Sequence, residues 1–225
     1  MPAIVNKTMD DIQDRMAKLQ QNWALKPQVA EQQAERIRKG KRLLNDSGAP
    51  ERHINTDQFR TEPVFNRWTD TVSSLIKLLG TGFTAALVGF RGRGKTQLAV
   101  EIIRHQCFEA LKSVSYCKAV EFFMDIRAAF GPQSKITPKS VVAQYRHPEL
   151  LVIDETQERF DTQTELIYLT LLLDLRYDDR LDTLLISNTI ESELEASIGD
   201  SVLRRIDETG GIFRCDWPPL HNPES

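Results

Sequence analysis

Residues 89–96 read Gly-Phe-Arg-Gly-Arg-Gly-Lys-Thr, and this octapeptide constrains the chain more than any other feature. It matches G-x-x-x-x-G-K-[ST] in full. The glycines let the backbone curl so that successive N–H groups face one concavity. A helix beginning near Lys95 adds its unsatisfied amides and the positive end of its dipole. Such a loop suits a phosphate anion. An apolar strand, TAALVG, runs into it, and an amphipathic stretch, KTQLAVEIIRHQ, leaves it. That is the strand–loop–helix setting the motif requires. Chance alone produces a match in roughly one per cent of chains this long, and the setting lowers that further. On this reading Gly89, Phe90, Arg91, Gly92, Arg93, Gly94, Lys95, Thr96 and Gln97 surround the phosphates of ATP. Lys95 reaches the β and γ phosphates, and the Thr96 hydroxyl ligates Mg²⁺.

A second apolar run, Leu150–Asp154, ends in the carboxylates of Asp154 and Glu155. Alone, this is a buried strand with an acidic turn behind it. Beside a phosphate loop it acquires a function, because ligands of open parallel sheets bind outside the carboxyl ends of the strands. Asp154 then belongs to the Mg²⁺ shell, and Glu155 orients and deprotonates the attacking water. A third run, Thr183–Asn188, again ends in polar residues. Its Asn188 is either a turn former or an amide that holds the water or the γ-phosphate. Further on, Arg204 and Arg205 are either an exposed basic helix or an arginine finger that neutralises phosphate charge on a neighbouring subunit.

The chain has 225 residues with 27% charged, 40% hydrophobic and a net charge of −3. A sizeable core is possible, while no global basic field points to nucleic acid. Local basic sets do exist: Arg36, Arg38, Lys39, Lys41 and Arg42 near the N-terminus, and Arg127, Lys135, Lys139 and Arg146 further along. Each is either a solvated face or a track for a nucleic-acid backbone. Cys107, Cys117 and Cys215 have no CxxC spacing, which fits isolated small hydrophobes in a reducing compartment. There is no apolar run long enough for a membrane span and no basic-then-apolar start, so a cytoplasmic protein without membrane partners is expected.

Residues 1–47 are polar and read as two helices broken near Pro27, the first opened by a Thr8–Asp11 box, the second spanning about 28–44 and ending at Ser47–Gly48. The second helix carries few apolar residues, so it is either solvated or docked on a partner. Residues 48–64 look irregular. Beyond them, strands at 84–89, 113–117, 150–154, 183–188 and 212–216 alternate with helical windows at 65–80, 95–112, 119–130, 162–178 and 191–207. The fourth window opens on a Thr162–Glu165 capping box. Buried strands alternating with helices predict an α/β three-layer sandwich of about five parallel strands, with a helical N-terminal appendage. The expected division is 1–47 and 48–225.

With these motifs in place, the chain resembles the DnaC/DnaI-type replicative helicase loaders and the IstB-like transposition helper ATPases, both AAA+ P-loop proteins. The likeness spans roughly 43–220. It rests on the segment Ser47–His53, the phosphate loop with its Gln97-Leu-Ala continuation, Pro148–Glu155, Leu185–Asn188, Ser201–Ile206 and the ending Gly210–Trp217. It implies that Asn188 senses the γ-phosphate and that Arg205 is a finger acting in trans. It also implies that the stretch 119–140 faces single-stranded DNA in a ring pore, and that 1–47 docks a hexameric helicase. Arg204 stands where the family has an acidic residue, so either arginine reaches across. Arg93 occupies a loop position that is usually small. The chain ends soon after its last strand, leaving no room for a helical lid. The resemblance implies an ATPase, weak in isolation, that binds ATP and Mg²⁺ between subunits of an oligomer or spiral and loads a helicase onto single-stranded DNA in a bacterium or phage-infected cell. The alternatives are a transposition helper that activates a transposase and a nucleotide-gated adaptor with little hydrolysis. The Asp154–Glu155 pair argues against the adaptor.

Overall fold

A computed structural model of the chain describes residues 29–55, 64–158 and 163–219. Two compact units divide it, 1–39 and 40–225. The division falls inside helix α1 (29–46). In the first unit the described residues 29–39 are helical with exposed side chains. The expected first helix, the break at Pro27 and the Thr8–Asp11 box lie outside the described residues.

The larger unit is built on five strands: β1 (Thr84–Val88), β2 (Val114–Lys118), β3 (Leu150–Asp154), β4 (Asp182–Ser187) and β5 (Gly211–Arg214). Their order is β2-β3-β4-β1-β5, and every pairing is parallel. Helices cover both faces: α3 (Val64–Leu78) and α4 (Lys95–His105) on one, and α5 (Ala119–Ala128), α6 (Pro138–Arg146), α7 (Gln163–Asp178), α8 (Glu191–Ile198) and α9 (Asp200–Thr209) on the other. The expected three-layer α/β sandwich is the one observed.

Strand alternation builds the two cores, since successive side chains point to opposite faces. Ala85, Leu87, Leu150, Val152, Leu184 and Ile186 pack with Trp68, Leu75, Leu98 and Ile102. Ala86, Val88, Leu151, Ile153 and Leu185 pack with Phe122, Val142, Leu172, Leu194 and Ile206. Because β1, β3 and β4 are buried on both faces, they read as continuous apolar runs. The edge strands do not: β5 is half-buried to exposed throughout, and β2 ends on the exposed Lys118.

Several element boundaries differ from expectation. The irregular 48–64 stretch contains a one-turn helix, α2 (Glu51–Ile54). The helix expected to run to 112 widens into a π-turn at Gln106–Ala110. The window at 191–207 is two helices, because Gly199 (φ 85°) takes a conformation that side-chain-bearing residues rarely adopt. Helix α6 was not expected. Its signal was Thr137-Pro138: the Thr137 hydroxyl accepts from the Ser140 amide at 3.1 Å, and proline opens the first turn.

A buried arginine closes the far end of α6. Arg176 is fully buried and donates to the carbonyls of Arg146 (2.7 Å), Pro148 (2.8 Å) and Asp182 (2.5 Å) and to the Thr183 hydroxyl (3.0 Å). Burial lowers its pKa to about 10, so it stays charged at neutral pH.

Candidate nucleotide site

The parallel order brings the carboxyl ends of β1, β3 and β4 side by side. Val88 is in register with Ser187, and Lys118 with Asp154. A cleft of about 240 Å³ opens there, lined by Arg52, His53, Arg91–Gln97, Asp154, Glu155 and Asn188. Of the residues expected at a nucleotide site, Arg91–Gln97, Asp154, Glu155 and Asn188 line this cleft, whereas Gly89 and Phe90 line a separate apolar cavity beside Ile190 and Cys215.

The phosphate loop leaves β1 at Gly89, which has φ 141°. A Cβ there would sit 2.5 Å from the Cys215 carbonyl oxygen, so the position admits no side chain without displacing that segment. Lys95 opens α4 and folds back under the loop, where its ammonium donates to the carbonyls of Gly89 (2.6 Å) and Phe90 (2.9 Å). Burial lowers the Lys95 pKa, and the nearby Asp154 carboxylate opposes that shift. Its cation has no carboxylate within bonding distance among the described contacts, leaving its charge for an anion above the loop.

Asp154 is 3% exposed, and both of its oxygens accept hydrogen bonds. Oδ2 accepts from the Thr96 hydroxyl (2.8 Å) and the Tyr116 phenol (2.7 Å), and Oδ1 accepts from the Glu155 amide (2.7 Å). Burial first, and then the Asp154 charge, hold the Tyr116 phenol far above its ordinary pKa, so it remains a donor. A hydroxyl and a carboxylate in contact offer the hard oxygen donors that Mg²⁺ takes, with water and phosphate filling its other positions. The residues present fit that ion.

Glu155 follows in a left-handed backbone conformation, φ 57°, which is costly for a non-glycine residue and recurs at functional sites. Its Oε2 lies 2.8 Å from the ammonium of Lys118, the last residue of β2. The turn behind it ties three elements together. The Gln157 amide oxygen accepts from the Asn188 backbone N–H at 2.9 Å, and Glu158 pairs with Arg91 of the phosphate loop at 2.6 Å.

The two arginines of α9 differ. Neither lines the cleft of its own chain. Arg204 is exposed and pairs with Asp200 at 3.2 Å. Arg205 is half-buried: it pairs with Asp174 at 2.9 Å, donates to the Ser201 hydroxyl at 2.6 Å and lies 5.2 Å from the centre of the Tyr177 ring. In the second basic set, Arg127 pairs with Glu165 at 2.8 Å, and Arg146 grips Asp179 through two bonds of 2.6 and 2.8 Å. Lys135 and Lys139 are exposed.

Sequence reasoning did not assign roles to Tyr116, Lys118, Gln157, Arg52 or His53. Tyr116 and Lys118 end an edge strand far from the motifs in sequence, and they meet the motifs through β2–β3 pairing. His53 Nδ1 lies 3.0 Å from the Gln97 amide oxygen, which brings α2 to the cleft rim. In the sequence, the segment 47–53 stands out by its resemblance alone.

The chain is similar to several known proteins. The replicative helicase loader DnaC of Buchnera aphidicola subsp. Acyrthosiphon pisum (strain APS) is 22% identical over 215 residues, covering 92% of this chain and 85% of that one. A crystal structure of DnaI superposes with a TM-score of 0.61 at 14% identity, over 78% of this chain and 95% of that one. AMPPCP-bound DnaA from Aquifex aeolicus superposes with a TM-score of 0.57 at 17% identity, over 69% of this chain and 48% of that one, so this chain matches about half of DnaA. These structural likenesses are likenesses of fold. The family model of IstB-like ATP binding proteins matches residues 9–206, which includes every strand but the last and every residue lining the cleft. The match covers most of the chain, and the chain belongs to the family of IstB-like ATP binding proteins.

Proposed function

We propose that the chain is an ATP-dependent loader of a replicative DNA helicase. The observation that carries this reading is the convergence of Lys95, Thr96, Asp154, Glu155 and Asn188 on one cleft, in a chain similar over 92% of its length to a replicative helicase loader. The phosphates of ATP lie along the loop amides and the Lys95 ammonium. Thr96 and Asp154 hold Mg²⁺, which would neutralise phosphate charge when bound. Glu155 accepts the proton of the attacking water, after leaving Lys118, and Asn188 orients that water or the γ-phosphate.

Neither α9 arginine faces its own cleft, which supports a site completed by a neighbouring subunit. On this reading isolated chains turn over slowly, and assembly as an oligomer or spiral on single-stranded DNA raises the rate. Residues 1–47 dock the helicase hexamer, and 48–225 form the ATPase domain. Exposed Lys135 and Lys139 are the cations of the second basic set best disposed to DNA, because Arg127 and Arg146 are engaged with carboxylates.

The test is native mass spectrometry of the chain mixed with its host's hexameric helicase, ATP and Mg²⁺. A complex of hexamer and several copies, lost on deletion of residues 1–47 while ATP binding survives, is the expected outcome. The match to the IstB-like family favours one second reading, a transposition helper. ATP-dependent assemblies on DNA alone, with no helicase complex, would select it.

A further inference from the structure

The segment that follows β5 is joined to the phosphate loop in both directions. The indole Nε1 of Trp217 donates to the Arg93 carbonyl at 2.7 Å, and the Arg93 guanidinium donates to the Trp217 carbonyl. Trp217 is 2% exposed, and its chain neighbours are anchored. The Cys215 amide donates to the Val88 carbonyl at 2.7 Å, and Asp216 pairs with Arg67 of α3 at 2.6 Å. The indole is thus presented to the loop from the rigid β1–β5 edge.

A trans peptide is planar, so its carbonyl and the N–H of the next residue point in opposite directions. A donor that holds the Arg93 carbonyl away from the cleft therefore holds the Gly94 N–H towards it. The loop acts through such N–H groups. The next carbonyl needs less help: that of Gly94 already accepts the Leu98 amide of the first helical turn at 2.9 Å, with the Trp68 indole an additional donor at 3.3 Å. The Arg93–Gly94 peptide lies ahead of the helix and has no such helical bond among the described contacts.

We propose that Trp217 is a positioning residue of the nucleotide site: its indole N–H sets the orientation of the Arg93–Gly94 peptide and thereby aims the Gly94 amide at the bound phosphates. The same contact accounts for Arg93, whose side chain is drawn to the Trp217 carbonyl. The inference rests on the phosphate-loop reading above. Pre-setting one amide lowers the ordering that binding must otherwise impose.

The test compares the full chain with Trp217→Phe and with a variant carrying β-(3-benzothienyl)alanine at 217, which keeps the bicyclic shape and lacks the N–H. Affinity for ATP is measured by titration, alongside Lys95→Ala and Trp68→Phe, and the melting midpoint is measured without nucleotide. A misdirected Gly94 amide forfeits one net hydrogen bond to phosphate, which corresponds to about fivefold weaker ATP binding in both 217 variants, with Trp68→Phe within about twofold of the parent because the helical bond remains. Overturning outcomes are an ATP affinity within about twofold of the parent in the benzothienyl variant, or a weakening accompanied by a fall of more than about 4 °C in its ligand-free midpoint, which is the mark of a general structural role. Lys95→Ala separates the two readings. If it abolishes binding while the 217 variants bind normally, the Trp217 inference alone fails; if it binds ATP as the parent does, the phosphate-loop reading fails and the inference with it.

Discussion

The ammonium of Lys118 lies 2.8 Å from the carboxylate of Glu155, and strand register places Lys118 directly beside Asp154. Glu155 raises the Lys118 pKa through this contact, so the ammonium stays charged at neutral pH. While that ammonium holds Glu155 Oε2, the carboxylate is not free to meet the attacking water. Lys118→Met should therefore raise basal turnover several-fold with little change in ATP affinity. Glu155→Gln should retain affinity within about twofold and lose about 10²–10⁴ in turnover, the range of a general base. Steady-state phosphate release beside equilibrium titration reads both. Normal hydrolysis by Glu155→Gln would remove Glu155 from its role.

Thr96 and Asp154 are in contact at 2.8 Å, and both offer oxygen to a hard cation. Asp154→Asn should weaken Mg²⁺-dependent ATP binding far more than binding measured in EDTA, whereas Lys95→Ala should abolish both. Titration with and without Mg²⁺ separates the metal ligand from the phosphate ligand. Equal losses in the two media would argue against a metal role for Asp154.

Arg205 is woven into its own chain by Asp174, Ser201 and Tyr177, while Arg204 is exposed. Arg204→Ala should leave the melting midpoint unchanged. Arg205→Ala should lower it by a few degrees, whatever either does to catalysis. Whichever arginine acts across the interface should lose assembled turnover when replaced, and mixing with Glu155→Gln subunits should restore part of it. A mixture that recovers nothing for either variant would count against action in trans.

Arg176 is fully buried and satisfies carbonyls at the end of α6 and the start of β4. Arg176→Met should leave those carbonyls unpaired and cost about 3 kcal/mol or more. In a chain of this size that corresponds to a fall of roughly 6–12 °C in the midpoint. A smaller fall would mean that the carbonyls find other donors.

Cys107, Cys117 and Cys215 are all buried and free. Burial pushes the Cys107 thiol up to about 11, which leaves about one thiolate in a thousand at pH 8. Ellman's reagent should find no fast-reacting thiol in the native chain and three after denaturation. Reactivity should rise with pH above 9. A fast native thiol would show that one of these sites opens.

The phosphate loop, the buried strands and the carboxylate pair were legible in the sequence because each is local. A glycine spacing, a run of apolar residues and the polar residues at its end are set by neighbours in the chain. The α/β alternation was legible for the same reason, since strands buried on both faces show no period-2 pattern and stand out as uninterrupted apolar runs. Boundaries set by one residue's backbone were harder: Gly199 splits a stretch whose apolar spacing otherwise suits one helix, and Thr137-Pro138 opens a helix in a polar connection. What tertiary structure alone decided are contacts between residues far apart in sequence. Lys118 meets Glu155 because β2 pairs with β3. Gln157 meets Asn188 because β3 pairs with β4. Trp217 meets Arg93 because β5 lies beside β1. Each of these partners lies on or just beyond a strand, far in sequence from the residue it meets, and so no local pattern announced it.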